Sequence, residues 1–290
     1  MREVSNRIQR ASHSGATLEV YQEASSYCVR KTVHLDIEKN YEAIVKQQNF
    51  SSLQTPTYNI IAIPVLGTEK SKSRLSISMP FVEGLGGEQV AYKGSKAVAM
   101  NLKTALDFYL INSVAQSEYS TFPSSTVRSK INSIKEKLGK NLFLFPNLRD
   151  RMAILNEYCQ KDLSLPLGPC HGDLTLSNIK VTERNELVLF DFLSCEINSP
   201  LQDAAKLTQD FEYGWSFRKE KASVRVKGEI FCEHSKPNFL TTLERLFEYE
   251  TRIIEALTVL RIAPYIKTQD SITIDWFNRT MDKTIRKITG

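Results

Sequence analysis

The sequence predicts an α+β fold in two parts: a strand-rich front with one helix over residues 1–84, and a larger, mostly helical back over residues 85–290. Two observations carry this. Short runs of β-branched and aromatic residues occupy much of the first eighty or so positions. After Glu83-Gly84 the apolar residues recur at helical spacing instead.

The front is read in order. Leu18–Tyr21 and Tyr27–Val33 are short β-forming segments joined by Gln22–Ser26, as in a hairpin. Ile37, Tyr41, Ile44 and Val45 then mark one face of a helix, with Asp36 placed to cap it. Asn59–Leu66 and Arg74–Val82 read as two more strands, and Gly67–Ser73 as the polar loop between them. In the back, Val98, Leu102, Leu106, Tyr109 and Leu110 form one apolar helix face. Helical stretches follow near 125–139 and 147–160. Leu240, Leu243, Phe247, Ile254, Leu257 and Leu260 predict one long helix that Pro264 limits, and 271–288 predicts a last one.

Composition narrows the class. Apolar residues make up 41% of the chain and charged residues 24%, with only 12 Gly and 10 Pro. Such usage excludes a wholly disordered or fibrous chain. A net charge of +5 on 290 residues permits an anionic ligand but lacks the dense basic face of a nucleic-acid binder. Five scattered cysteines with no C-x-x-C pair predict reduced thiols rather than a zinc site. The polar start MREVSNRIQRASHSG and the lack of a long apolar run lead us to expect a cytoplasmic protein with no membrane or nucleic-acid partner.

The chemistry concentrates in Cys170–Ser194. Ile179–Val181 and Leu187–Phe190 read as the strands of a tight hairpin, with Thr182–Glu186 as its turn. An antiparallel hairpin brings its open ends together. Asn178 lies just before the first strand and Asp191 just after the second. They are therefore expected to be neighbours although the whole hairpin separates them in sequence. Asp173 lies five residues before Asn178 in the same loop. Two carboxylates and an amide oxygen at one rim suit Mg²⁺, a hard cation bound through oxygen. A nearby carboxylate can also accept the proton of an attacking hydroxyl. Lys31 can supply positive charge from the front, although strand alternation alone leaves open whether it simply faces solvent.

These residues carry a resemblance. H-x-D-x-x-x-x-N at His171, Asp173 and Asn178, followed by D-F at Asp191-Phe192, resembles the protein-kinase-like superfamily. H-G-D in place of H-R-D is similar to its aminoglycoside phosphotransferase/choline kinase branch. The resemblance implies a bilobal kinase-like fold: a small antiparallel sheet lobe with one helix and a large helical lobe. It implies ATP and Mg²⁺ as cofactors and a hydroxyl of a small molecule as acceptor. It makes Asp173 the catalytic base, His171 a scaffold of the catalytic loop, and Asn178 and Asp191 the metal ligands. Lys31 would hold the nucleotide phosphates, paired with Glu42 or, failing that, Glu38. Pro80, Phe81 and Val82 would form the hinge that meets the adenine. Ser199–Asp210 resembles a P-x-x-D-x-x-K continuation of bacterial members, some of them linked to envelope or capsule polysaccharide synthesis.

Departures from the pattern are visible. Ser12–Thr17 holds a single glycine in place of G-x-G-x-x-G, and D-F-L replaces D-F-G. No arginine precedes Asp173, which argues against a protein kinase controlled by phosphorylation. A catalytically silent nucleotide-binding regulator is the rival reading, with a protein kinase third. Other features have plainer readings. Arg128–Lys140 suits a solvated helix face better than a substrate site. Tyr213, Trp215, Asp203, Asp210 and Glu212 are candidates for an acceptor pocket or for core packing. Cys170 beside His171 lacks the orienting third group that a nucleophilic pair needs.

Overall fold

A computed structural model describes residues 16–23 and 26–290. The loop at Ser12–Gly15 therefore lies outside the described residues. In chain order, strands β1 (Thr17–Glu23) and β2 (Ser26–Val33) precede helix α1 (Ile37–Gln48). Strands β3 (Leu53–Gln54), β4 (Asn59–Ala62), β5 (Gly67–Lys70), β6 (Leu75–Pro80) and β7 (Leu85–Gly86) follow. Next come α2 (Gly87–Lys93), α3 (Lys96–Ala115), β8 (Glu118–Phe122), α4 (Ser124–Leu138), α5 (Leu148–Tyr158) and β9 (Leu163–Leu167). The hairpin β10 (Ile179–Val181) and β11 (Glu186–Leu189) leads into α6 (Pro200–Phe211), α7 (Ala222–Ser235), α8 (Phe239–Leu246), α9 (Glu248–Leu260) and α10 (Ser271–Thr289).

The chain divides into two compact units. The first runs to Val90 and takes in His171–Glu196; the second comprises Ala91–Cys170 and Ile197–Gly290. This division differs from the boundary at residue 84 that the sequence suggests. The reason is strand pairing. β11 pairs in parallel with β4, Leu187 opposite Ile60, and β10 pairs with β7. The hairpin thus completes a five-stranded sheet, β3-β4-β11-β10-β7, inside the first unit. A second sheet there has the order β1-β2-β6-β5, all antiparallel. It packs on α1 through Val33, Ile44, Leu75 and Ile77. Burying four such side chains is worth about 6–12 kcal/mol before entropy is counted.

In the second unit α3 buries Leu102, Leu106, Tyr109 and Leu110, and α9 buries every residue from Ile253 to Leu260. Ser199 caps α6, its Oγ accepting from the Leu201 N–H at 3.2 Å. Pro200 follows at the first helical position, where its fixed φ suits the turn and no N–H is needed. Among the described residues no helix is long and apolar enough to cross a membrane. All five cysteines are free thiols.

Several expectations need correction. Gly67–Lys70 is a strand, not a loop: it pairs with β6, and Ser71 N–H donates to Arg74 O at 2.8 Å to turn the chain. Its exposed, charged T-E-K sequence suits a sheet edge and carries no apolar alternation. The long helix of 240–260 is two helices. Phe247 leaves the helical region (φ −129°, ψ 47°) and stacks its buried ring on Tyr119. Asp36 adopts a left-handed conformation and makes no side-chain cap; Asn40 Nδ2 donates instead to the Leu35 and Asp36 carbonyls.

Candidate active site

The H-G-D loop is built around His171, which is fully buried. Its Nε2 lies 2.9 Å from Phe190 O, and the Asp173 N–H points at its Nδ1 at 3.2 Å. A carbonyl can only accept and an N–H can only donate, so the ring is the neutral tautomer with its proton on Nε2. One imidazole therefore ties the backbone of Asp173 to the end of the hairpin. Phe192 packs against the ring, centroids 4.3 Å apart, and Phe50 packs on Phe192 from the other side at 5.7 Å.

Gly172 explains why the loop reads H-G-D. Its φ is +89°. L side chains rarely adopt that region, and glycine does so freely. A Cβ there would stand 2.5 Å from Leu193 O and 2.4 Å from Cys195 Sγ. Leu193 N–H also donates to His171 O at 3.0 Å, so the loop and the segment after Asp191 lie in direct contact.

Asn178 Nδ2 donates to Asp173 O at 2.8 Å and to Asp173 Oδ2 at 3.0 Å. This leaves the Asn178 carbonyl oxygen as a donor atom for a cation. Phe190 N–H donates to Asn178 O at 3.1 Å, which closes the hairpin mouth and brings Asp191 beside Asn178. Asp191 itself is left-handed, at φ 61°. Asp tolerates that conformation better than most residues. Its carboxylate is 46% exposed and accepts from Lys31 Nζ at 2.6 Å. Lys31 lies on β2 opposite Ile77, its side chain only 16% exposed, so it is not a solvent-facing strand lysine. Arg30, on the alternate face, lies over the Tyr21 ring. Two carboxylates and an amide carbonyl form an oxygen donor set, which fits Mg²⁺. Among the described residues no group of three or more His, Cys, Asp or Glu side chains that could hold a metal ion occurs, so the oxygen set is limited to these two carboxylates and the amide.

The structure does not bring Glu42 to Lys31. Glu42 accepts from Ser194 Oγ at 2.7 Å, and Lys46, one turn later, donates to Leu193 O at 3.0 Å. Glu38 pairs with Lys70 at 2.7 Å. α1 thus grips the segment after Asp191 rather than Lys31. Periodicity cannot show this, because it gives the face of a helix and not its partner. Lys46 escapes sequence reasoning for the same reason. In the expected hinge segment Pro80–Val82, Phe81 N–H donates to Tyr27 O at 2.8 Å. Lys180 Nζ donates to Val82 O at 2.7 Å.

The candidate acceptor residues lie in the second unit. Asp203 is fully buried and accepts from Tyr109 Oη at 2.7 Å; Asp210 is fully buried and accepts from Ser216 N–H at 2.8 Å. Both are buried and hydrogen-bonded inside the second unit. Glu212 pairs with Lys236 and Lys287. Burial would raise its pKa, but the two lysines outweigh this and hold it below the ordinary carboxylate value. Burial pushes the Tyr213 phenol up, and Glu255, which it contacts, pushes it further. Trp215 packs edge-on against Trp276 and carries the Arg218 guanidinium 3.5 Å above its ring. Cys170 Sγ faces Asn198 Oδ1 at 3.9 Å, and both ring nitrogens of His171 are committed elsewhere, so no Cys–His pair forms.

Comparison with known proteins agrees with this frame. Residues 125–226 match the model of the phosphotransferase enzyme family, and that stretch holds the whole H-G-D loop and hairpin. No curated protein is similar in sequence. A thermostable mutant of aminoglycoside phosphotransferase APH(4)-Ia, apo form, superposes with a TM-score of 0.63 at 11% identity, over 96% of this chain and 92% of that one. A variant of the same enzyme, in ternary complex with AMP-PNP and hygromycin B, gives 0.59 at 12% identity, over 94% of each chain. A candidate fructosamine-3-kinase from Haemophilus somnus 129PT gives 0.58 at 12%, over 96% and 89%. The fold is that of the kinase-like phosphotransferases. The matched segment agrees with the sequence resemblance to the aminoglycoside phosphotransferase/choline kinase branch.

Proposed function

We propose that this protein is an ATP- and Mg²⁺-dependent phosphotransferase that moves the γ-phosphoryl group to a hydroxyl of a small molecule. The acceptor class is a sugar, amino alcohol or aminoglycoside-like compound. One observation carries the reading: within one compact unit Lys31 binds Asp191 at 2.6 Å, Asn178 binds Asp173 at 2.8 and 3.0 Å, and the Phe190 N–H to Asn178 O bond of 3.1 Å sets the two pairs at one hairpin mouth. The family match and the nucleotide complex of a structural relative support it.

In this reading Asp173 accepts the acceptor's hydroxyl proton as the oxygen attacks the γ-phosphorus and the bond to the β,γ-bridging oxygen breaks. His171 fixes the Asp173 backbone, and the Asn178 amide turns the Asp173 carboxylate. Asn178 and Asp191 would hold Mg²⁺, which supplies charge neutralisation at the phosphate oxygens. Lys31 supplies a second positive charge there. Pro80–Val82 would receive the base.

The test is consumption of ATP across a panel of hydroxyl-bearing metabolites, with Asp173→Ala as control. Turnover with at least one compound is expected, reduced on the order of 10²–10⁴-fold in the variant while nucleotide binding persists. Wild-type turnover in Asp173→Ala removes the base assignment. Nucleotide binding without turnover on any alcohol supports the regulator instead, and transfer to protein alone supports a protein kinase.

A further inference from the structure

The two sheets of the first unit are joined where the chain passes from β4 to β5. Ile63 makes the last bond to β11, its N–H donating to Leu189 O at 2.8 Å. Pro64 follows and has no N–H, so this ladder cannot go on. Leu66 N–H then donates to Ser78 O of β6 at 2.8 Å, and the chain has crossed to the four-stranded sheet. Lys31 belongs to that sheet, on β2 beside Ile77 of β6. Asp191 belongs to the other, just past the end of β11. The 2.6 Å bond between them therefore spans the two sheets.

Gln47 sits at the same crossing. It is buried in the last turn of α1. Its Nε2 donates to Ile63 O at 2.8 Å and faces Met79 Sδ of β6 at 3.8 Å. An amide nitrogen carries two hydrogens, so one group can address both partners. Ile63 is buried, and both of its backbone polar groups are tied: the N–H to the hairpin, the carbonyl to α1. Apolar packing is non-directional and leaves the offset of two sheets soft. A hydrogen bond fixes a distance and a direction. We propose that Gln47 is a positioning residue for the Lys31–Asp191 pair: through Ile63 and Met79 it sets the offset between the sheet that carries the lysine and the sheet that carries the aspartate. This inference rests on the nucleotide reading, in which Lys31 meets phosphate and Asp191 meets Mg²⁺.

The experiment is calorimetric titration of the full chain with AMP-PNP in the presence of Mg²⁺. Gln47→Met keeps the length of the side chain and removes the donor. Affinity should fall about three- to tenfold, the worth of one neutral hydrogen bond. In a Lys31→Met background the same substitution should change affinity by less than about twofold, because the pair it positions is already gone. Gln47→Asn keeps the amide but ends one methylene short of Ile63 O, and should repeat the loss. Thr55→Val removes another buried bond of this unit, Thr55 Oγ1 to Tyr58 O at 2.7 Å, and should leave affinity unchanged. In the chain without metal or nucleotide, hydrogen exchange of the Ile63 N–H should quicken about tenfold in Gln47→Met and stay unaltered in Thr55→Val. Unchanged affinity in both Gln47 variants, an equal loss with and without Lys31, or unaltered Ile63 exchange overturns the proposal and leaves the phosphotransferase reading intact. A wild-type chain that binds no AMP-PNP overturns the nucleotide reading and this proposal with it.

Discussion

Gly172→Ala tests the architecture of the site more sharply than removal of any polar group. The substitution adds one methyl group in the H-G-D loop, at a φ of +89°. A non-glycine residue in this region costs about 1–2 kcal/mol in backbone strain. The new Cβ would also meet Leu193 O at 2.5 Å and Cys195 Sγ at 2.4 Å. Overpacking of this kind costs roughly 1–3 kcal/mol. The total, about 2–5 kcal/mol, should lower the melting temperature by on the order of 4–20 °C. The Leu193 contact is to backbone, so relief requires moving the segment that carries Asp191 away from the loop that carries Asp173. A shift of about 1 Å in such a site costs on the order of a hundredfold in rate. The assay is differential scanning calorimetry beside steady-state turnover. Gly172→Ala combined with Cys195→Ala separates the two contacts: the sulfur clash goes and the carbonyl clash stays. We expect little recovery of rate in the double variant. Wild-type rate and melting in Gly172→Ala would refute the reasoning, and full rescue by Cys195→Ala would assign the effect to the sulfur alone.

Three further outcomes are expected. Lys31→Met removes the cation 2.6 Å from Asp191. The KM for nucleotide should then rise about tenfold, the value of one bond to a charged group; an unchanged KM counts against a phosphate role. Tyr109→Phe takes one bond from the buried Asp203. It should cost about 1.5–3 kcal/mol in chemical unfolding, with KM unaltered; a shifted KM would return Asp203 to the acceptor site. Asp270 caps α10 by accepting from Thr273 N–H at 3.1 Å. Burial would raise its pKa, but the bonds from Lys219 and Thr273 outweigh that and lower it. Its contribution is therefore full above the unfolded value, about 4, and is lost as pH falls through the lower folded value. Asp270→Ala should cost about 1 kcal/mol at pH 7, and the difference from wild type should shrink below about pH 4 in thermal melts; a difference that persists at low pH would contradict the cap.

How much of this is legible in the sequence depends on the kind of signal. The hairpin and its two flanking residues are readable because strand length, turn chemistry and antiparallel closure are local rules. Asn178 and Asp191 follow from them, and Phe190 N–H to Asn178 O at 3.1 Å is the closure expected. The helices of the back are readable where one face is apolar, as in α3. α6 does not read as a helix, although Ser199-Pro200 announces its start. All of its residues are buried, so its polar side chains Gln202, Asp203 and Asp210 mimic a loop in the sequence. β8 and β9 escape the pattern because β8 is largely exposed and shows no alternation. The placement of the hairpin with the front is nonlocal: β11 beside β4 joins segments far apart in the chain, and no pattern in either strand names the other.

The true partners of α1 have a physical consequence. Glu42 and Lys46 are four apart on α1 and so share one face. Both reach the two residues that follow Asp191-Phe192: Glu42 takes Ser194 Oγ and Lys46 takes Leu193 O. The same Leu193 carbonyl sits where a Cβ on residue 172 would go. One carbonyl therefore stands between helix and H-G-D loop, held by a lysine on one side and admitted by a glycine on the other. This explains why leucine can stand where D-F-G has glycine: the backbone at 193 is fixed by Lys46 and by its own N–H on His171 O, not by its side chain. Leu193→Gly should then leave the position of Asp191 intact, whereas Lys46→Met should loosen it. Measured as the Mg²⁺ concentration for half-maximal turnover, Leu193→Gly should stay within about twofold of wild type. Lys46→Met should raise it several-fold, as loss of one charge-assisted bond requires. The reverse order of the two effects would show that the leucine side chain, and not the grip of α1, sets the Asp191 end of the hairpin.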